Sequence, residues 1–199
     1  MLKYIFLPAV IIAMLPGCRS PETHQSLADS LHSADSIAKI VPAGQLIVPG
    51  KRVGHININA SADSLITELR KPRFSDAAMG AQLLIWNAWY KKVKYETATY
   101  SHRNMGMADD AVSYIKIIRT SSPRFKTAEH AGAGSDLKEV MKLYKLKRYP
   151  LPGTGPKGTW LYDDSISGIA FEADTSGKCV AVLVHAKGDS LAIHTNMHP

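Results

Sequence analysis

Two histidines near the C-terminus have the spacing of metal ligands. His194 and His198 are four residues apart, so a helix would place both imidazoles on one face. No glutamate lies beside them to act as a base, and the pair falls within the last six residues, where chains commonly fray. We therefore expect residues 191–199 to form a frayed C-terminal tail, with no metal site and no cofactor.

The other candidates for catalysis are incomplete. Asp109-Asp110 and Asp163-Asp164 are adjacent pairs, and neighbouring residues on a strand point to opposite faces, so neither pair forms an acid–base couple. Cys179 opens the apolar run 179–184, which predicts a buried strand with a packed thiol. The sequence contains no Gly-x-Ser-x-Gly elbow and no phosphate-binding glycine loop. These observations favour a protein without catalytic residues, and we expect that it is not an enzyme.

The clearest chemical signal is the tetrapeptide Leu15-Pro16-Gly17-Cys18, which closes a short apolar run. Lys3 gives the run a positive start, and residues 4–15 are too few to span a bilayer, which requires about 20 residues. A small residue before cysteine is typical of a lipobox, in which the thiol receives a diacylglycerol and the chain is cleaved before the cysteine. We expect a lipoprotein signal peptide at residues 1–17 and a lipid anchor, with fatty acids such as palmitate, on Cys18. In the alternative, residues 1–17 are an ordinary secretory signal and Cys18 is incidental.

The composition fits an exported chain that is held at a membrane. Residues 18–46 are rich in Ser, Ala, Asp and Pro, which predicts a flexible tether. By resemblance to known lipoproteins, Arg19 stands where an aspartate would retain the protein in the inner membrane, so we expect an outer-membrane anchor that faces the periplasm. The formal charge of +7 favours anionic lipid head groups or an acidic protein. An exported lipoprotein rarely meets nucleic acid, and no such partner is expected.

The folded part contains an internal sequence repeat, called here the echo, in which two segments are related by a shift of 75 residues. Two predicted helices superpose with the i, i+3, i+4, i+7 spacing of one buried stripe, which pairs Ala62, Leu65, Ile66 and Leu69 with Leu137, Val140, Met141 and Tyr144. Ser61 and Asp136 then fall at the two helix N-caps. An extended segment precedes each helix, at residues 54–58 and 125–128, and three predicted strands follow it.

This echo predicts the fold class. We expect an α+β fold of two similar β-α-β-β-β units, at residues 47–122 and 123–190, with an antiparallel sheet and both helices packed on one face. The three strands after the first helix are predicted at residues 83–86, 95–100 and 112–119. Those after the second helix are predicted at residues 158–161, 168–173 and 179–185.

The first unit resembles a known small repeat. The resemblance rests on Gly54-x-Ile56-x-Ile58, a capped helix with Leu65 and Leu69, Pro72 soon after it, and a strand that ends in Trp86. These features resemble the repeat of the β-lactamase inhibitor proteins and the outer-membrane-assembly lipoproteins of the BamE/SmpA type. In both families a helical part packs on a three-stranded antiparallel sheet, and the inhibitor proteins carry the unit twice. The resemblance is one of element order and apolar spacing, and no binding residue carries over from it.

Two groups of side chains are candidates for contact with a partner. The first, the basic group, lies on the polar face of the second helix and just after it, and comprises Lys138, Lys142, Lys145, Lys147 and Arg148. It fits an acidic protein or a membrane surface, and its alternative is an ordinary solvated face. The second is the pair Met105 and Met107 in loop 101–110, where soft apolar side chains either contact a partner or fold back onto the core.

The sequence thus favours a non-enzymatic, lipid-anchored envelope protein that binds a protein partner or aids envelope assembly through its sheet face and loops. The alternative function is the binding of a small ligand or a lipid in a cavity between the sheet and the helices. The two functions differ in whether proteins or small molecules are retained from a periplasmic extract.

Overall fold

The computed structural model describes residues 40–153 and 155–199. The predicted signal peptide, the lipidation site Cys18 and most of the tether therefore lie outside the described residues. Within the described range, no helix combines the length and the apolar character needed to cross a membrane.

The described chain folds mainly into antiparallel strands. A small sheet contains β1 Ile47–Val48, β2 Arg52–Val53 and β3 Ile56–Asn57. A large sheet contains β4 Phe74–Ala78, β5 Ala81–Tyr90, β6 Val93–Arg103, β7 Ser113–Thr120, β8 Lys147–Pro150, β9 Trp160–Asp164, β10 Ile169–Ala173 and β11 Cys179–His185. The α-helices are α1 Ala62–Leu69 and α2 Leu137–Leu143, and short 3-10 helices cover Ala43–Gln45 and Leu191–Ile193.

The large sheet has the strand order β4-β5-β6-β7-β11-β10-β9-β8. This order is symmetrical about its centre, where β7 pairs with β11, so each half consists of one helix followed by a four-stranded meander. β7 and β11 are antiparallel, with Thr120 opposite Val182 and Ile117 opposite His185. Corresponding strands of the two halves therefore run in opposite directions along the sheet.

The predicted α+β class is wrong. The described residues contain eleven strands in two antiparallel sheets, and their two α-helices have only eight and seven residues. The β-α-β-β-β order is also wrong, because residues 125–128 supply only one isolated bridge, from Lys126 to Leu46, and four strands rather than three follow each helix. The missed strands, β4 and β8, lie at the sheet edges, where exposed residues blur the alternation that predicts a strand.

Both helices begin at the predicted N-caps. The hydroxyl oxygen of Ser61 accepts a hydrogen bond from the backbone N–H of Ser64 at 3.4 Å. The carboxylate of Asp136 accepts one from the backbone N–H of Lys138 at 2.9 Å. These bonds satisfy N–H groups that have no partner inside the first helical turn, which confirms the two cap predictions.

One face of the large sheet, called here the helix face, packs against α1 and α2. Leu65 of α1, Val140 of α2 and Phe171 of β10 are buried in the same hydrophobic core. The shift of 75 residues also predicts Met141 in the buried stripe of α2, but its side chain is half exposed. The apolar stripe of α2 is therefore narrower than its sequence spacing indicates.

The opposite face, called the tail face, is covered by the C-terminal segment. Ala192 and Met197 are buried there in a second core that includes Leu183 of β11. Strand alternation separates the two cores, because Leu183 faces the tail while its neighbour Val182 faces the helices. The expectation of a frayed tail is wrong, since these two apolar side chains fasten residues 191–199 to the sheet.

Candidate functional site

The tail face holds a buried cluster of charged side chains. Arg119 of β7 donates two hydrogen bonds of 2.8 Å to the Glu172 carboxylate of β10, and His198 Nε2 lies 3.1 Å from Glu172 Oε1. Burial raises the pKa of Glu172, but the hydrogen bonds from His198 and Arg119 and their charges outweigh it and lower this pKa to about 2. The ionised carboxylate therefore ties the end of the chain to the middle of the sheet.

A second buried pair joins β11 to β9. His185 Nε2 lies 2.8 Å from Asp163 Oδ1, and His185 Nδ1 lies 3.0 Å from the carbonyl oxygen of Ala186. Both ring nitrogens thus lie within hydrogen-bond distance of an oxygen atom. Because the His185 side chain is fully buried, the pair joins the two strands inside the protein, away from solvent.

Neither cluster brings together the parts of a hydrolytic or group-transfer site. The ring nitrogens of His185 and His198 have carboxylate and carbonyl partners, and no hydroxyl or thiol is among those found in the described residues. The same residues contain no group of three or more His, Cys, Asp or Glu side chains placed to hold a metal ion. That the chain is not an enzyme stays a prediction.

Two predictions about single residues are confirmed by the geometry. The carboxylates of Asp163 and Asp164 separate, since Asp163 contacts His185 while Asp164 accepts a hydrogen bond from the backbone N–H of Lys145 at 3.0 Å. Cys179 is buried, and this burial raises the pKa of its thiol to about 11. The thiol is therefore a packed core group that stays protonated at neutral pH.

The two edges of the large sheet differ in how their backbones are protected. β8 carries Lys147, Arg148 and Pro150, and charged side chains and proline are common guards of edge strands. β4, at the other edge, reads Phe74-Ser75-Asp76-Ala77-Ala78, has neither lysine nor proline, and exposes its last four residues. In the described part of the chain β4 pairs only with β5, so its outer side is open. An open edge is a template for a further strand.

A groove lies on each side of the β4 edge. Groove 1 has a volume of about 260 Å³ and is lined by residues that include Asp63, Ala77, Met79, Gln82, Arg103 and Met105. Groove 2 has a volume of about 390 Å³ and is lined by residues that include Phe74, Asp76, Leu83, Tyr100, His194 and Asn196. Since Asp76 and Ala77 point to opposite faces of the sheet, groove 2 opens on the tail face and groove 1 on the helix face.

Two exposed methionines, Met79 and Met105, line groove 1. Met105 and Met107 are 66% and 65% exposed, so neither folds back onto the core. Met79 in the β4–β5 turn, which the sequence analysis missed, is 94% exposed. Met105 lies against this turn, because a Cβ atom built on Gly80 would be 3.2 Å from its sulfur. Gly80, which lies between the β4 segment and the apolar run that begins at Leu83, is the signal that could have identified the turn.

The basic group lies at the opposite edge of the large sheet, on and just after α2. Lys142 is paired with Glu139 at 2.7 Å, and the guanidinium of Arg148 lies 3.5 Å from the centroid of the Trp160 ring. The other members, Lys138, Lys145 and Lys147, are exposed. The fold therefore does not bring the basic group and the exposed methionines together, because the full width of the sheet separates β8 from β4.

The alternative function requires a cavity between the sheet and the helices. That space is occupied by packed side chains of the helix-face core, including Leu65, Leu84 and Val140, which are all buried. Grooves 1 and 2 instead lie along the β4 edge. The candidate contact site is therefore the β4 edge of the sheet.

Comparisons of the chain with protein-family models, with curated proteins and with solved structures found no match. The resemblance to the inhibitor and assembly-lipoprotein repeats therefore stays a prediction. Each half of the large sheet has one strand more than the three-stranded unit of that resemblance.

Proposed function

We propose that this chain is a lipid-anchored, non-enzymatic protein of the bacterial envelope that binds a protein partner by strand addition to β4. An extended segment of the partner would pair with the outer backbone of β4 and continue the sheet. Alternate side chains of that segment would point to opposite faces and enter groove 1 and groove 2 in turn. The exposed methionines supply a soft apolar rim that adapts to partner side chains.

The contrast between the two sheet edges carries this proposal. β8 is guarded by charge and proline, whereas β4 is open and lies between two grooves. Ala78 and Ala81 flank the two-residue turn and face each other, as a hydrogen-bonded pair does in such a hairpin. The alternation of an antiparallel ladder then directs the N–H groups of Ser75 and Ala77 outward. These N–H groups are the donors that a partner strand would use.

Site-specific photocrosslinking in cells tests the β4 contact. A photoreactive residue at Asp76 of the full-length protein should form a discrete adduct with one other protein, whereas the same residue at Lys147 on the guarded edge should not. Ala77→Pro removes an outward N–H without removing a bond to β5, and it should abolish the adduct. The matched Ala77→Ser variant keeps the N–H and should keep the adduct. An adduct that survives Ala77→Pro, or one formed only with a second copy of this chain, would contradict the proposal.

The lipid anchor is tested separately, because Cys18 lies outside the described residues. Cys18→Ser should move the protein from the membrane to the soluble periplasmic fraction. Mass spectrometry of the wild type should show a lipid-modified cysteine at the mature N-terminus. Unchanged fractionation together with an unmodified cysteine would refute the anchor.

A further inference from the structure

The β5–β6 hairpin extends beyond the rest of the large sheet. β5 and β6 have ten and eleven residues, whereas β9 and β10, which take the same place in the other half, have five each. β7 pairs with β6 only from Thr97 onward, and β4 pairs with β5 only as far as Ile85. In the described chain, the projecting residues 87–96 therefore form ladder pairs only with one another, and at their base the backbone N–H of Ser121 donates to the carbonyl oxygen of Glu96 at 3.0 Å. We call this segment the hairpin tip, and the other half of the sheet forms without one.

The hairpin tip exposes apolar and basic side chains together. Trp89 is 71% exposed and lies directly opposite Lys94. Val93 is 50% exposed and, as the neighbour of Lys94, points to the other face of the hairpin. Lys91 and Lys92 form the turn and are exposed as well. A narrow hairpin thus presents an apolar side chain on each face and positive charge at its end.

The hairpin tip and the side chains that contact it carry an excess of positive charge. The carboxylate of Glu96, at the base of the hairpin tip, lies 3.0 Å from the guanidinium of Arg73 and 3.8 Å from that of Arg119. Arg124 adds positive charge beside the tip, with its guanidinium 5.3 Å from the centroid of the Tyr90 ring. Glu96 is therefore neutralised by other side chains, and the lysines of the tip keep their charge available.

The backbone of the turn is strained. Lys91 has a φ of 49° and Lys92 a φ of 63°, in the left-handed region that asparagine and glycine adopt more easily than lysine. Two lysines in such a turn present charge at the cost of local stability. Strain of this kind is concentrated at functional sites.

The described chain enters the fold beside the hairpin tip. Gln45 comes five residues after the first described residue. It lines one shallow pocket together with Tyr90, Lys91, Tyr95 and Arg124. The turn that joins β4 to β5 lies at the other end of β5. The hairpin tip and the start of the described chain are therefore at one end of the sheet, and groove 1 is at the other.

We propose that the hairpin tip binds the anionic head groups of a lipid surface. Its lysines would contact lipid phosphates, while Trp89 and Val93 would lie in the head-group region that tryptophan favours. An acidic protein would also attract the lysines, but a single flat partner surface covers only one face of the hairpin. A medium that surrounds the tip covers both. The proposal rests on the proposed function in one respect, since a lipid anchor on Cys18 would hold the protein at a membrane.

Vesicle cosedimentation tests this contact without the anchor, with the full-length Cys18→Ser protein recovered from the soluble fraction. We expect binding to vesicles of equimolar phosphatidylglycerol and phosphatidylcholine, weak binding to phosphatidylcholine alone, and a loss of binding as salt is raised. Each lysine near an anionic surface contributes about a factor of five, so Lys91→Glu with Lys92→Glu should weaken binding at least ~30-fold. Trp89→Ser, which leaves the charge unchanged, should weaken it about tenfold.

A matched control makes the same charge change at the other end of the sheet. The N–H of Gly50 donates to the carbonyl of Gly168 in the β9–β10 turn at 3.0 Å, and Lys187 lies against Gly50. Lys51→Glu with Lys187→Glu therefore alters the net charge equally but far from the hairpin tip, and it should change binding less than about threefold. An equal loss in both pairs would show that net charge alone matters and would overturn the proposal.

Two further outcomes would also overturn it. Equal binding to both kinds of vesicle would remove the anionic head group as the ligand. Altered self-association of the tip variants with unchanged vesicle binding would assign the tip to a second copy of the chain. A failure of the proposed function gives a different result. An unmodified cysteine in the wild-type protein would refute the lipid anchor, whereas the binding of the hairpin tip to vesicles is measured independently by cosedimentation.

Discussion

Replacing Lys91 by Asn and Lys92 by Gly should stabilise the protein while weakening its contact with anionic vesicles. The two residues have φ values of 49° and 63°, so both lie in the left-handed region that a type I′ turn requires. A left-handed backbone destabilises an L-residue by roughly 1–2 kcal/mol, and Asn-Gly avoids most of this penalty. The glycine offsets about 0.5–1 kcal/mol of this gain, because it increases the conformational entropy of the unfolded chain.

The expected net gain in the free energy of unfolding is about 1–2 kcal/mol, which for a domain of this size raises Tm by about 3–6 °C. Thermal unfolding followed by circular dichroism measures this gain, and vesicle cosedimentation measures the loss of two positive charges. The two effects have opposite signs, so a partly unfolded variant cannot imitate the result. Such a variant would lose stability and binding together.

The matched control is Met79→Asn in the β4–β5 turn. Met79 has a φ of 51° and is followed by Gly80, so only one strained residue is relieved. We expect about half of the gain in stability and no change in vesicle binding. A Tm of the Lys91→Asn, Lys92→Gly variant equal to or below that of the wild type would refute the strain argument.

The remaining predictions concern the core, the buried carboxylate and the basic group. Leu65→Ala should lower the free energy of unfolding by roughly 2–4 kcal/mol, and Val140→Ala by somewhat less, in denaturant titrations, because both side chains are buried. Glu172 has a pKa lowered from 4.5 to about 2, so its ionised form stabilises the fold above pH 4.5. This contribution, about 3 kcal/mol, is lost as the pH falls from 4.5 towards 2 and should be absent in Glu172→Gln. If the free energy of unfolding of Glu172→Gln fell as steeply as that of the wild type between pH 4.5 and 2, the assignment of this pH dependence to Glu172 would be contradicted. Replacing Lys138, Lys142 and Lys145 of the basic group by Glu should weaken association with an acidic partner at low salt and leave Tm unchanged within about 2 °C. Unaltered association would identify the basic group as an ordinary solvated face.

Local chemistry made several elements predictable from the sequence. The N-caps Ser61 and Asp136 are determined by hydrogen bonds to residues two or three positions away. The apolar run that begins at Cys179 gives β11 because nearly every side chain in it is buried. Features that are determined by nearby residues in this way can be recognised in a single sequence.

Other features depend on contacts between distant parts of the chain. Arg119 and Glu172 are 53 residues apart, and nothing in the sequence indicates that their charges pair. The tail was predicted to fray because it lies at the end of the chain, and only the sheet beneath Ala192 and Met197 explains their burial. The turn at Lys91-Lys92 lacks the Asn-Gly signal that hairpins of this type normally carry. An unusual turn of this kind cannot be deduced from turn propensities, and its strain is visible only in the backbone angles.

The two halves of the large sheet differ in the places where a partner could be engaged. The half from β8 to β11 has the guarded edge, a short hairpin at β9–β10, and the buried His185–Asp163 pair. The half from β4 to β7 has the open edge, the exposed methionines and the projecting hairpin tip. A symmetrical strand order that served only stability would give both halves similar edges and hairpins. We therefore infer that the first half provides the two proposed contacts, at the open β4 edge with groove 1 and at the hairpin tip, whereas the second half provides the guarded edge and the basic group.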